Sequence, residues 1–233
     1  MRDTWFYYAE GRLLPEDLRD RASSYSPIAF YNYQRELQPW TAPSAEQSNR
    51  FRDMNTARSS SPRQRAHYFF DTLYRAGSRA ESYDRVKTLN FLGHPVMVHQ
   101  SILEELALVE ERILSIAGTD SQVRAWINNI NNMHGWNWRN IAGTESRSFH
   151  SYGVAVDILP RSLGGRETYW QWAAQNWWEI SYEGRYHPPD PVIKAFESYG
   201  FVWGGKWLFF DTMHFEYRPE VFILSGIELD TFR

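Results

Sequence analysis

The sequence predicts an α+β fold in which helices come first and a small antiparallel sheet follows. Three observations carry that expectation. Apolar residues recur at helical spacing from Ile102 to Ile130. The run Val154-Ala155-Val156-Asp157-Ile158 alternates as a strand does. The chain then returns in short aromatic strands around Gly204-Gly205.

Taken in order, residues 1–84 read as a helical N-terminal extension without a recognisable chemical motif. After Ser61-Pro62, the residues Tyr68, Phe69, Leu73 and Tyr74 suit one face of a helix that Gly77 stops. A clearer helix starts at Ser101, where Glu104 completes a capping box. Its stripe is Ile102, Leu106, Val109, Ile113 and Ile116, ahead of Gly118. A third is expected from Ser121, burying Val123, Trp126, Ile127 and Ile130 and ending near His134-Gly135. Beyond the 154–158 strand, the Trp-rich stretch Tyr169 to Trp178 reads as a helix, followed by a turn at His187-Pro188-Pro189. Asp190 caps the next helix with Pro191 in its first turn; Val192, Phe196 and Tyr199 are its buried candidates and Gly200 closes it. Strands follow at Phe201-Val202-Trp203 and at His214-Phe215-Glu216-Tyr217, up to Pro219. Residues 85–233 are the expected catalytic domain.

Composition narrows the chemistry. Lys and Arg number 25 against 28 Asp and Glu, a formal charge of −3 that gives no reason to expect nucleic acid as a partner. With no cysteine, disulfides, thiolate nucleophiles and Cys-rich zinc sites are excluded, so a metal here needs His and carboxylate ligands. No apolar run approaches the roughly twenty residues of a membrane span, so no integral membrane segment is expected. Met1-Arg2-Asp3 begins no apolar export signal, so localisation has to follow from the substrate. The aromatic share of 17% suits both core packing and the lining of a groove.

Two motifs carry the chemistry. In Ser148-Phe149-His150-Ser151-Tyr152-Gly153-Val154-Ala155-Val156-Asp157, a turn at Gly153 lets His150 fold back toward the strand face that bears Asp157. In Asp211-Thr212-Met213-His214-Phe215-Glu216-Tyr217 a second imidazole follows an acid by three residues. Two His and one carboxylate leave a zinc coordination position open, which suits hydrolysis better than a structural site. His67, His94, His99, His134 and His187 lack a carboxylate at comparable spacing and read as surface, core or turn histidines, His134 being nearest the motif. Glu216 shares a strand face with His214 and is either its orienting partner or a solvated strand charge.

These motifs, S-x-H-x-x-G-x-A-x-D and [ED]-x-x-H, together with Gly200 to Trp207, resemble the zinc D-Ala-D-Ala carboxypeptidase and L-alanyl-D-glutamate endopeptidase family, which includes VanY-like enzymes and phage endolysins. The resemblance implies zinc held by His150, Asp157 and His214, with Asp211 as the catalytic base that takes a proton from water. Many members carry Glu at that position. It further implies a small antiparallel sheet flanked by helices, hedgehog- or D,D-peptidase-like, and a peptidoglycan stem peptide as substrate, hence a periplasmic or otherwise extracytoplasmic site of action. The family places an Arg upstream of its first zinc ligand. Arg139 is the first candidate and Arg147 the second, with Ser148 and Tyr152 as candidate hydrogen-bond donors to substrate. The cluster of Arg139, Arg147 and Ser148 favours a carboxypeptidase that clamps a terminal carboxylate. Endopeptidase cleavage within the stem is the alternative, favoured by Trp170, Trp172, Trp177 and Trp178 as walls of a longer groove. A non-catalytic zinc-binding recognition module, as in hedgehog signalling domains, is a further alternative, against which the acid at 211 stands.

Overall fold

The computed structural model describes residues 4–9, 11–26, 31–60 and 63–230. It is mixed helix and antiparallel sheet, as expected. In chain order the elements are β1 (Phe6–Ala9), β2 (Arg12–Pro15), α1 (Ala45–Ser60), α2 (Tyr68–Leu73), α3 (Arg79–Tyr83), β3 (Val86–Phe91), β4 (His94–His99), α4 (Leu103–Ala117), α5 (Ser121–Asn128), β5 (Ile130–His134), β6 (Ala155–Pro160), α6 (Asp190–Ser198), β7 (Phe201–Trp203), β8 (His214–Tyr217) and α7 (Pro219–Leu224). The four-stranded sheet runs β5-β6-β8-β7, all neighbours antiparallel.

The helical stripes hold where they are most regular. Ile102, Leu106, Val109 and Ile113 are fully buried, and α6 seats Val192 and Phe196 in the core, with the Phe196 ring stacked 3.9 Å from Phe215 of β8. Elsewhere the structure corrects the expectation. Ser101 does not cap α4: it lies in a short 3-10 turn, Gln100–Ile102, whose cap is His99, accepting from Ser101 N–H. The third helix stops at Asn128, with Asp120 as its cap. Ile130 and Met133 then bury as strand residues, because pairing with β6 satisfies their backbone while hiding the same side chains. No α-helix forms from Tyr169 to Trp178. The large rings there collapse into a separate cluster, Trp170, Trp177, Trp178, Ile180 and Phe210, so ring packing overrides helical spacing.

The N-terminal portion is not all helix: β1 and β2 pair antiparallel, and 3-10 turns fill Glu16–Ser24. The hairpin β3-β4, turning at Leu92-Gly93 with both residues at positive φ, also lacked a legible signal. On α2 the buried residues are Phe70 and, just past its end, Tyr74, while Leu73 is 54% exposed. Ser61 and Pro62 lie outside the described residues. Phe70 and Tyr74 join Val98, Leu106, Val156 and Phe215 in one core cluster, so side chains from before residue 84 pack into the body that carries the sheet.

Candidate metal centre

The site is assembled by one turn and one strand pairing. Ser148 Oγ accepts from His150 N–H at 3.3 Å and opens a 3-10 turn, Phe149–Tyr152. Gly153 ends it at φ +73, and a Cβ there would meet His99 N at 2.8 Å, so a side chain is excluded on both counts. The turn buries His150 to 2% exposure under the sheet. β6 and β8 then bring Asp157 opposite His214 as register partners.

The three ligand atoms face one another. His214 Nδ1 lies 2.8 Å from Asp157 Oδ1, His150 Nε2 lies 3.2 Å from the same oxygen, and the two imidazole nitrogens are 3.3 Å apart. Among the described residues this trio is the group that could hold a metal ion. A tetrahedral zinc with bonds of about 2.0–2.1 Å sets its ligand atoms about 3.3 Å apart, so the separations fit. The far nitrogens are also committed. His150 Nδ1–H donates to the Gly135 carbonyl at 2.6 Å, and Gly135 has no room for a Cβ, which would stand 2.0 Å from Met97 O. His214 Nε2–H donates to Glu216 Oε2 at 3.1 Å, and Glu216 Oε1 accepts from Arg218 at 2.9 Å. Such outer partners fix which nitrogen of each ring faces a metal.

The electrostatics follow from these contacts. Burial alone would raise Asp157, but the charges and hydrogen bonds of His150 and His214 outweigh it and hold the carboxyl well below the usual range. Burial opposes a proton on His214, yet its bonds to Asp157 and Glu216 push it up to about 10. Glu216 likewise resists burial through His214 and Arg218 and sits at about 2. Asp211 behaves differently: burial, with Asp157 adding to it, raises its carboxyl to about 6 against the opposing charges of His214 and His150. Its Oδ1 is buried without a hydrogen-bond partner. An orphaned carboxylate oxygen beside an open three-donor site is what a bound water would satisfy.

The other expected site residues fall elsewhere. Arg147 pairs with Asp71, donates to Ala76 O at 3.0 Å and stacks on Trp138 at 4.4 Å, so it ties α2 to the motif loop and is not free for a substrate. Tyr152 is 2% exposed and packs on Phe70, Tyr74 and Phe149: it is a core ring, not a groove donor. Ser148 is engaged as the turn's cap. Arg139 is exposed, and its charge acts on Tyr169, which bridges Asp211 across the chain. His134 stands opposite Asp157 in register, but it is exposed and contacts Asn132. Two neighbours of the site were assigned no role from the sequence: Trp207, whose ring lies 5.4 Å from His214, and Tyr31, whose hydroxyl accepts from Trp207 Nε1 at 2.8 Å.

A His-Asp-His donor set with both imidazoles buried, on a small antiparallel sheet and with a carboxylate beside it, suits a metal-dependent hydrolase. Residues 142–217, which span both motifs, match the family model described as D-alanyl-D-alanine carboxypeptidase, so over that segment the resemblance to a peptidoglycan-acting metallopeptidase read from the motifs holds. No solved structure matches the chain.

Proposed function

We propose that the protein is a zinc D,D-carboxypeptidase that releases the terminal D-Ala of peptidoglycan stem peptides, acting outside the cytoplasm. The observation that carries this reading is the unpartnered Asp211 oxygen beside the His150, Asp157 and His214 donors. His150 Nε2, Asp157 Oδ1 and His214 Nδ1 hold the zinc, and Glu216 orients His214. When bound, zinc acidifies water and polarises a carbonyl. Asp211 accepts the proton of the attacking water and returns it to the leaving amine, a role suited to a carboxyl that burial raises toward neutrality. Arg139, the exposed arginine of the motif loop, bonded only to the neighbouring Asn140 carbonyl at 3.3 Å among the described residues, supports the carbonyl oxygen as charge develops. Residues 85–233 form the catalytic unit, of hedgehog- or D,D-peptidase-like architecture, and residues 1–84 an extension that packs on it.

Mass spectrometry of purified muropeptides after incubation tests the reading. Loss of one alanine from pentapeptide stems is expected. Fragments cut between L-Ala and D-Glu would replace it with the endopeptidase activity, and unchanged muropeptides with a full zinc complement would point to a recognition module.

A further inference from the structure

The arginines of the motif loop do not exhaust the cations around the metal centre. Arg147, Arg218 and Lys206 each meet a carboxylate. Arg58 and Arg65 do not. Both are half-buried, and neither guanidinium has an ion pair or hydrogen bond among the described residues. Arg58, near the end of α1, lies over the rings of Trp170 and Phe209 at 5.6 and 5.2 Å, and its helix is seated by Phe51 against Trp178 at 6.2 Å. The main chain of Arg65 is pinned beside the metal-site loop: its N–H donates to Ser146 Oγ at 3.0 Å, and it bridges Ser26.

Both residues sit against segments that lead into the site: Arg58 lies over Phe209, two residues before Asp211, and Arg65 is held at Ser146, four before His150. The guanidinium of Arg65 lies in the fields of Glu216, Arg218, Arg58 and Tyr31, and Tyr31 in turn holds the Trp207 ring that flanks His214. Arg58 acts on Tyr169, the bridge partner of Asp211. Burial holds both guanidiniums below their ordinary value; at Arg65 the charge of Glu216 opposes this, while Arg218 and then Arg58 add to it. Two guanidiniums drawn out of water, neither bonded to a carboxylate among the described residues, are unfavourable unless an anion arrives to share them.

We propose that Arg58 and Arg65 form a carboxylate subsite, supplied by the N-terminal segment, that takes the free C-terminal carboxylate of the peptide whose scissile bond lies at the metal centre. This rests on the carboxypeptidase reading above and assigns its specificity to residues outside the stretch that matches the family model. Paired guanidiniums suit a carboxylate because each presents a planar fork of donors.

The test is binding, followed by tryptophan fluorescence, of acetyl-D-Ala-D-Ala and of its C-terminal amide to the zinc-loaded Asp211→Asn protein. The acid is expected to bind roughly ten- to a hundredfold tighter than the amide, as charge-assisted bonds to a carboxylate warrant. Arg58→Gln and Arg65→Gln should each lose most of that preference, the double variant all of it, and Arg65→Lys should keep part, with amide affinity and zinc content unchanged throughout. Equal binding of acid and amide, or full discrimination in the double variant, overturns the subsite. So does a joint loss of zinc and amide affinity, which would make the arginines props of the fold. The bond cleaved is read separately from muropeptides with the unsubstituted protein: internal cleavage with acid preference intact would sink the carboxypeptidase reading and leave the subsite standing.

Discussion

Asp157 and His214 are register partners across β6 and β8, with Oδ1 and Nδ1 2.8 Å apart. The pairing that builds the sheet therefore also builds two thirds of the candidate metal centre, and the Gly153 turn adds His150.

Substituting any one of His150, Asp157 or His214 by Ala removes a third of the proposed protein ligands. Zinc affinity should fall by at least about a hundredfold, with activity lost in parallel. Elemental analysis of dialysed protein checks this, and one zinc per chain retained in all three variants would refute the ligand set.

Asp211 and Glu216 should separate cleanly. Asp211→Asn is expected to keep its zinc while turnover drops about 10²- to 10⁴-fold, since an amide cannot accept the proton. Glu216→Gln instead releases the grip on His214 Nε2 and on Arg218, so zinc affinity should fall about ten- to a hundredfold. Chelator competition and kcat together discriminate; an active Asp211→Asn beside a dead, zinc-replete Glu216→Gln would reverse the assignment.

Arg147 and Asp71 should behave as a structural unit. Both are mostly buried, so Arg147→Ala or Asp71→Ala should each destabilise the fold by about 2–4 kcal/mol, chiefly by stranding the other charge. The double variant should cost clearly less than the two losses added. Urea denaturation provides the measurement, and additive losses would show that the pair contributes no coupling.

His99 gives the fold a pH dependence of known sign. Its Nε2–H donates to Tyr74 O at 3.1 Å and its Nδ1 accepts from Ser101 N–H at 3.2 Å, so the neutral ring is fully partnered. Burial lowers its pKa in the folded state. The unfolded chain therefore binds the proton more readily, and stability is lost as pH falls through about 6.5. Unfolding midpoints at pH 8 and pH 5.5 should differ more in the unsubstituted protein than in His99→Gln; an equal difference would remove His99 as the cause.

Local chemistry was legible before any fold was known. The stripe from Ile102 to Ile113 and the alternation at 154–158 each depend on neighbours within a few residues, and Ile102, Leu106, Val109, Ile113, Val154, Val156 and Ile158 are all buried. The helix near Asp190 starts one residue earlier than expected, since Pro189 is the cap position and Asp190 the first helical residue, with no side-chain cap bond. The positions of His150, Asp157 and His214 were equally legible, because a turn at Gly153 and one antiparallel pairing suffice to join them. Tertiary structure decided what depends on partners distant in the chain. Whether 169–178 coils or packs is settled by Phe209 and Phe210, and whether Ile130 ends a helix or begins a strand is settled by β6. Arg147 and Arg139 look alike in sequence, but Asp71, 76 residues away from Arg147, claims only the former. Arg58 and Arg65 carry no local signal at all. Side-chain charge is written in the sequence, but whether it is neutralised depends on which carboxylate the folded backbone sets beside it.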